Sequence, residues 1–150
     1  MPLSYQAPIV DITIFGIGIS VDQYAENALQ WAKRELVPLG SIFCPCLNGP
    51  IYFSNKKVRH TIMQKKVDQQ GNFNIDTISV LSEMVNLIEN ATLRYATSDA
   101  KGRENVVRIY KLLAVVELNG INRNVEILIQ EIYHEQDNQT KLHFYNHILL

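Results

Sequence analysis

The sequence predicts an α+β domain in which N-terminal helices pack on a C-terminal antiparallel β-meander. Two observations carry this prediction. Apolar residues recur at helical spacing in the first half of the chain, and they alternate with a period of two in the last third. A length of 150 residues suits a single domain. We divide it into an N-terminal arm and helix over residues 1–49 and a core over residues 50–149.

Three helices are expected in the first half. The first runs over residues 22–36, and Pro38 ends it. The second covers about residues 55–67, with Ser54 as its N-cap, because a serine side chain can accept a hydrogen bond from a free helix N–H. The third lies over residues 76–88. Its buried stripe is Ile78, Leu81, Val85 and Ile88.

Three strands follow, and they form the meander. Residues 106–118 make the first, and Asn119-Gly120 after it is the dipeptide signature of a tight hairpin turn. The second and third strands cover residues 124–134 and about 141–149, with a polar turn between them. Residues 11–15 alternate briefly, so they are either a short strand or an extended arm.

Composition excludes several classes of protein. Seven Gly, five Pro and two Cys exclude a collagen, a disordered chain and a disulfide scaffold. A net charge of −1 excludes a chain that is basic throughout. No stretch has the roughly 18 uncharged apolar residues that a membrane span needs, and the N-terminus lacks the features of a secretory signal. We therefore expect a cytoplasmic protein without a membrane partner.

The second helix carries the most informative pattern. Residues 56–66 contain five cations and no acid, and residues 56–111 carry ten cations against six acids. On a helix, His60 lies opposite the apolar stripe, next to Lys56 and Lys57. An imidazole beside ammonium groups is a combination suited to phosphate chemistry. A solvated basic helix face with an incidental histidine is the alternative interpretation.

A second group of candidates lies on the last strand. His143, Tyr145 and His147 alternate, so we expect them to share one face of the sheet, with His134 nearby. Such a row can serve acid–base chemistry or stack on a nucleobase, or it can be an exposed strand face. Three histidines can also bind a metal. Because no helical His pair or carboxylate partner accompanies them, we expect neither a metal nor another cofactor.

The order of these features resembles the barnase–EndoU–colicin–RelE-like nuclease superfamily, in the small versions attached to phage and mobile-element polyproteins. The residues that carry the resemblance are the segment Ser54-Asn55-Lys56-Lys57-Val58-Arg59-His60 and the later Val116-Glu117-Leu118-Asn119-Gly120. The match covers about residues 50–149. The resemblance implies a metal-independent ribonuclease, often a toxin or effector, with Ser54, Lys57 and His60 on the helix and Tyr145 or a neighbouring histidine on the last strand.

The chemistry of that implied reaction suggests roles. If the 2′-hydroxyl of RNA is the nucleophile, His60 is the base or acid, and His143, Tyr145 or His147 is the complementary proton carrier. Lys57, Lys56 and Arg59 then stabilise the phosphorane. We expect the substrate-binding residues to be Lys56, Arg59, Arg103 and His147.

Two further interpretations remain open. The first is a non-catalytic RNA- or protein-binding domain on the same fold, since some relatives appear without catalysis. The second is a structural module of a mobile element. The expected partners are RNA, tRNA included, and a cognate inhibitor or immunity protein, and delivery into a target cell is an alternative to a purely cytoplasmic role.

Overall fold

The computed structural model describes residues 6–64, 75–98 and 105–150. The helices are α1 (Val21–Glu35), α2 (Asn55–Gln64), α3 (Ile75–Val80) and α4 (Met84–Asn90). The strands are β1 (Ser41–Cys44), β2 (Gly49–Tyr52), β3 (Thr92–Thr97), β4 (Val106–Leu118), β5 (Ile121–His134) and β6 (Gln139–Leu149). Short 3-10 turns lie at Val37–Leu39, Pro45–Leu47 and Leu81–Glu83.

The helices form largely where the apolar spacing predicts them. Ser20 caps α1, because its Oγ accepts a hydrogen bond from the backbone N–H of Gln23 at 3.1 Å. The third predicted helix is divided into α3 and α4 by the 3-10 turn. Ser79 and Ser82 lie at that point and donate their hydroxyls to the carbonyls of Ile75 and Ser79, respectively. Such side-chain bonds compete with a regular helical ladder.

The strands form one six-stranded sheet in the order β1-β2-β6-β5-β4-β3. The predicted α+β class is confirmed, but the expectation of a purely antiparallel sheet is wrong. β2 runs parallel to β6, with Ile51 opposite Leu142 and Tyr52 opposite His143. The reason is topological. Helices α2, α3 and α4 and three strands lie between β2 and β6 along the chain, which provides the long crossover that parallel strands require.

The meander forms as the alternation predicts. β4 has the predicted bounds, and Asn119 and Gly120 adopt φ values of +54° and +79°, which a two-residue hairpin turn requires. We call the side of the sheet that carries Leu112, Ile127 and Phe144 the helix-covered face, since these residues belong to the same buried cluster as the helix side chains. We call the opposite side the outer face.

One N-terminal segment and one edge of the sheet differ from the sequence prediction. Residues 11–15 form a turn, held by Asp11 Oδ1, which accepts hydrogen bonds from the N–H and hydroxyl of Thr13. The strand interpretation of this segment is therefore wrong, and Pro8 and Val10 pair with Glu117 of β4 instead. β3 was not predicted, because all its residues are exposed and leave no buried alternation to detect.

No helix in the described part of the chain is long and apolar enough to cross a membrane.

Candidate functional site

A cleft of about 650 Å³ lies between α2 and the outer face of the sheet. Its polar and charged lining consists of Lys56, Lys57, Arg59, His60 and Gln130. Its less polar lining consists of Met63, Val106, Ile132 and Tyr145. The described lining therefore contains three permanent cations and no carboxylate, which favours an anionic ligand.

The position of α2 creates this cleft. β2 pairs with β6 only as far as Tyr52, and α2 then runs beside the rest of β6. Ser54 begins the helix, because its Oγ accepts a hydrogen bond from the backbone N–H of Lys57 at 3.3 Å. Val58 and Ile62 are fully buried on one side of the helix, which turns His60 toward the outside. The predicted apolar and polar faces of this helix are confirmed.

The ring of His60 stacks on the ring of Tyr145. Their centroids are 6.0 Å apart and their planes differ by 27°. His60 is exposed, and neither of its ring nitrogens has a hydrogen-bond partner among the described residues. Both nitrogens are therefore available to a ligand in the cleft.

Lys57 connects the helix to the sheet. Its Nζ lies 5.8 Å from the centroid of the Tyr145 ring and donates a hydrogen bond to Oε1 of Gln130 at 2.5 Å. The ammonium group is thus held at the floor of the cleft, beside the stacked pair. Lys56 and Arg59 are exposed at the rim.

β6 contains a β-bulge at Tyr145. Leu128 of β5 is opposite Asn146 and Ile129 is opposite Phe144, so Tyr145 is the extra residue between them. The bulge interrupts the alternation of side chains along β6. As a result, His147 lies on the face opposite to the one that the alternation of His143 and Tyr145 predicts for it.

The expectation that His143, Tyr145 and His147 share one face is wrong for this reason. His147 lies on the helix-covered face with Phe144 and is fully buried. Its Nδ1 is 3.0 Å from Oγ1 of Thr61, and its Nε2 is 2.8 Å from the carbonyl oxygen of Thr77. His147 therefore joins α2, α3 and β6 inside the core, and it does not line the cleft, contrary to the expectation that it contacts the substrate.

His143 remains on the outer face but does not line the cleft. Its Nε2 is 2.9 Å from Nε2 of His134, and its ring centroid is 5.8 Å from that of Tyr52. Burial, with the nearby charges of Lys57, His134 and Lys141 adding to its effect, lowers the pKa of His143 to about 4. This imidazole is consequently neutral at pH 7 and has no proton to give as an acid.

Two other candidate residues, Ser54 and Arg103, are not among the described residues that line the cleft. Ser54 does not line the cleft, and its hydroxyl oxygen serves as the helix cap. Arg103 lies outside the described residues. Among the described residues, no group of three or more His, Cys, Asp or Glu side chains is arranged to hold a metal ion.

Four cleft residues were not among the candidates: Gln130, Ile132, Val106 and Met63. The alternation of β5 assigns Gln130 to the face opposite Val125, Ile127 and Ile129, and that signal was available in the sequence. The sequence does not indicate that this face lies close to α2, because that proximity depends on the parallel pairing of β2 with β6.

Comparison with known proteins gives one match. No curated protein and no solved structure matches the chain. The family model described as large polyvalent protein-associated domain 3 matches residues 20–145, which is most of the chain. This match agrees with the phage or mobile-element context that the sequence resemblance implies. The chain belongs to the large polyvalent protein-associated domain 3 family.

Proposed function

We propose that this domain is a metal-independent endoribonuclease that uses the 2′-hydroxyl of RNA as its nucleophile. The observation that supports this most strongly is the stacking of His60 on Tyr145 at a cleft lined by three cations and no described carboxylate. A phosphodiester is an anion, and its transition state carries more negative charge than the ground state. Fixed cations therefore stabilise the transition state more than the bound substrate.

His60 is the proposed general base. Its open ring nitrogen accepts the proton of the 2′-hydroxyl, and the oxygen then attacks the adjacent phosphorus. The P–O bond to the 5′-oxygen breaks, and that oxygen takes a proton from the hydroxyl of Tyr145. Solvent then reprotonates Tyr145 and takes the proton that His60 received. The products are a 2′,3′-cyclic phosphate and a free 5′-hydroxyl, so the atoms and protons balance.

The cations have distinct positions in this mechanism. Lys57 is beside the stacked pair and is held by Gln130, so it contacts the non-bridging oxygens of the phosphorane. Lys56 and Arg59 at the rim bind neighbouring phosphates of the strand. Ser54 contributes by capping α2, which orients the Lys57 backbone and the helix that carries His60.

Membership of the barnase–EndoU–colicin–RelE-like superfamily is part of this proposal, and so is a role as a toxin or effector. The family match supports only the coarser statement, a domain associated with large polyvalent proteins. A nuclease in that setting would act on RNA, tRNA included, and would need a cognate inhibitor in the cell that makes it.

The alternative is a non-catalytic domain that binds RNA through the same cleft. One observation favours it. Among the described residues that line the cleft, His60 is the single histidine, since His147 is buried and His143 lies beyond the lining. Without a second imidazole, proton transfer to the leaving group depends on Tyr145.

An RNA-cleavage assay distinguishes the nuclease from the non-catalytic RNA-binding domain. The full chain is incubated with total RNA in the presence and absence of EDTA, together with His60→Ala and with His134→Ala as a matched control outside the cleft. Cleavage that survives EDTA and is lost only in His60→Ala supports the nuclease. RNA binding without cleavage between about pH 5 and 8 supports the alternative, and absence of binding at low salt contradicts both.

A further inference from the structure

One polar group in the cleft takes part in the proposed phosphate chemistry only indirectly, by holding Lys57. Gln130 is only 3% exposed, yet its carboxamide lines the cleft. A buried amide in a protein normally has its donors and its acceptor paired. The oxygen of Gln130 satisfies this rule, since Oε1 accepts the hydrogen bond from Lys57.

Lys57 also fixes which way the amide points. An ammonium group only donates, so the atom that faces it must be the oxygen, and the NH₂ group must face the other way. Nε2 of Gln130 has no hydrogen-bond partner among the described residues. No buried side-chain nitrogen or oxygen in the described part of the chain lacks a partner. It follows that Nε2 is accessible, and the accessible space beside it is the cleft.

The wall next to this donor is apolar. Val106 and Ile132 are directly opposite each other on β4 and β5, one alternation step from Gln130 on the outer face. An apolar surface with one donor at its edge suits a flat ring that presents an acceptor at its own edge. The side chain of Lys57, on the other side of the amide, is where the proposed function puts a phosphate.

We propose that Gln130 binds the nucleobase of the nucleotide whose phosphate contacts Lys57. Its Nε2 donates to an acceptor atom of the base, a ring nitrogen or a carbonyl oxygen, and the base lies against Val106 and Ile132. The ligand is therefore an unpaired nucleotide, because pairing would occupy the base edge and stacking would cover its faces. This inference rests on the proposed RNA-binding function.

The test compares two short RNA strands with the same backbone. One is a pentanucleotide with its bases, and the other carries abasic ribose at every position. Binding of the full chain, of Gln130→Met and of the matched control Gln136→Met, on the exposed β5–β6 turn, is measured by fluorescence anisotropy. We expect Gln130→Met to weaken binding of the base-containing strand about tenfold more than binding of the abasic strand. Any loss on the abasic strand measures the contact with Lys57 that this substitution also removes.

A second measurement does not depend on the variant folding. The unchanged protein is titrated with a pentanucleotide in which difluorotoluene, a ring of the same shape without strong acceptors, replaces each uracil. We expect a similar loss of about tenfold. Equal losses on both backbones, or no loss on either, overturn the base-binding role while leaving RNA binding intact. Failure of the unchanged protein to bind any strand overturns the proposed function itself.

Discussion

The imidazole of His60 lies over the phenol ring of Tyr145, with 6.0 Å between the ring centroids. One residue comes from the second turn of α2 and the other is the extra residue of a β-bulge in β6. The helix and the bulge are joined directly behind this pair, since the hydroxyl of Thr61 donates to Oδ1 of Asn146 at 2.6 Å. The residues that follow His60 and Tyr145 in the chain thus hold the pair together.

The roles of the two rings can be separated by substitution. We expect Tyr145→Phe to lower the cleavage rate about 100-fold, because it removes the proposed proton donor and keeps the stacked ring. Tyr145→Ala removes both, so it should lower the rate further and weaken binding of substrate. The measurement is kcat and KM on one oligonucleotide. An unchanged rate in Tyr145→Phe would show that the hydroxyl is not the proton donor.

Arg59 provides a test of the phosphate contacts. We expect Arg59→Met to weaken RNA binding uniformly across sequences and to reduce the slope of log K against log salt by about one. Arg34→Met is the control, since Arg34 is equally exposed but lies on α1 and does not line this cleft. Equal effects of the two substitutions would show that binding reflects general charge rather than this cleft.

Ser54 separates a capping role from a catalytic one. Ser54→Ala should lower the free energy of unfolding by about 1 kcal/mol, because the N–H of Lys57 loses its partner. Ser54→Asn retains a capping oxygen and should retain both stability and cleavage. Urea unfolding and the cleavage assay measure the two properties. A stable Ser54→Asn variant that no longer cleaves RNA would restore Ser54 as a catalytic residue.

The buried hydroxyl of Thr61 should matter for stability. Thr61→Val keeps the shape of the side chain but leaves Oδ1 of Asn146 and Nδ1 of His147 without this partner. We expect a loss of about 1–3 kcal/mol in the free energy of unfolding. Thr97→Val on the exposed β3 strand is the control and should stay within about 0.5 kcal/mol. Similar values for both would mean that the hydrogen bonds contribute little.

His143 should make the protein less stable at acidic pH. Its pKa is about 4 in the folded chain against an ordinary value of 6.5, so the unfolded chain binds the proton more readily. Its contribution is complete above pH 6.5 and is lost as the pH falls toward 4. We expect about 1–2 kcal/mol after allowing for its partly exposed position. Urea unfolding from pH 4 to 7 should show this loss, and His143→Gln should reduce it. A ring titration midpoint near 6.5 would contradict this.

The sequence predicts the parts of the fold that rest on local periodicity. The bounds of β4, the Asn119-Gly120 turn and the buried side of α2 follow from spacing and turn chemistry alone. The parallel pairing of β2 with β6 does not follow from local spacing, because residues 51 and 142 are far apart in the chain. The apolar pattern of a strand also does not indicate which other strand pairs with it.

The candidate site also combines local features that the sequence predicts with long-range contacts that it does not predict. His60 and Lys57 were found from the cation pattern of one helix, which is local. His147 was misplaced because one bulged residue reverses every side chain beyond it, and nothing in the alternation of β6 marks that position. Gln130 was not a sequence candidate, because its place in the site depends on the hydrogen bond from Lys57, which lies on α2 while Gln130 lies on β5.

The most direct test of the central claim is cleavage of one oligonucleotide pair in EDTA. The two strands are identical except that the second carries a single 2′-deoxynucleotide at the bond that the protein cuts in the first. We predict that the all-RNA strand is cut to a 2′,3′-cyclic phosphate by the unchanged protein and not by His60→Ala, and that the deoxy-substituted strand is not cut at that bond. Cleavage of the deoxy-substituted bond, or full activity of His60→Ala, would contradict the proposed mechanism.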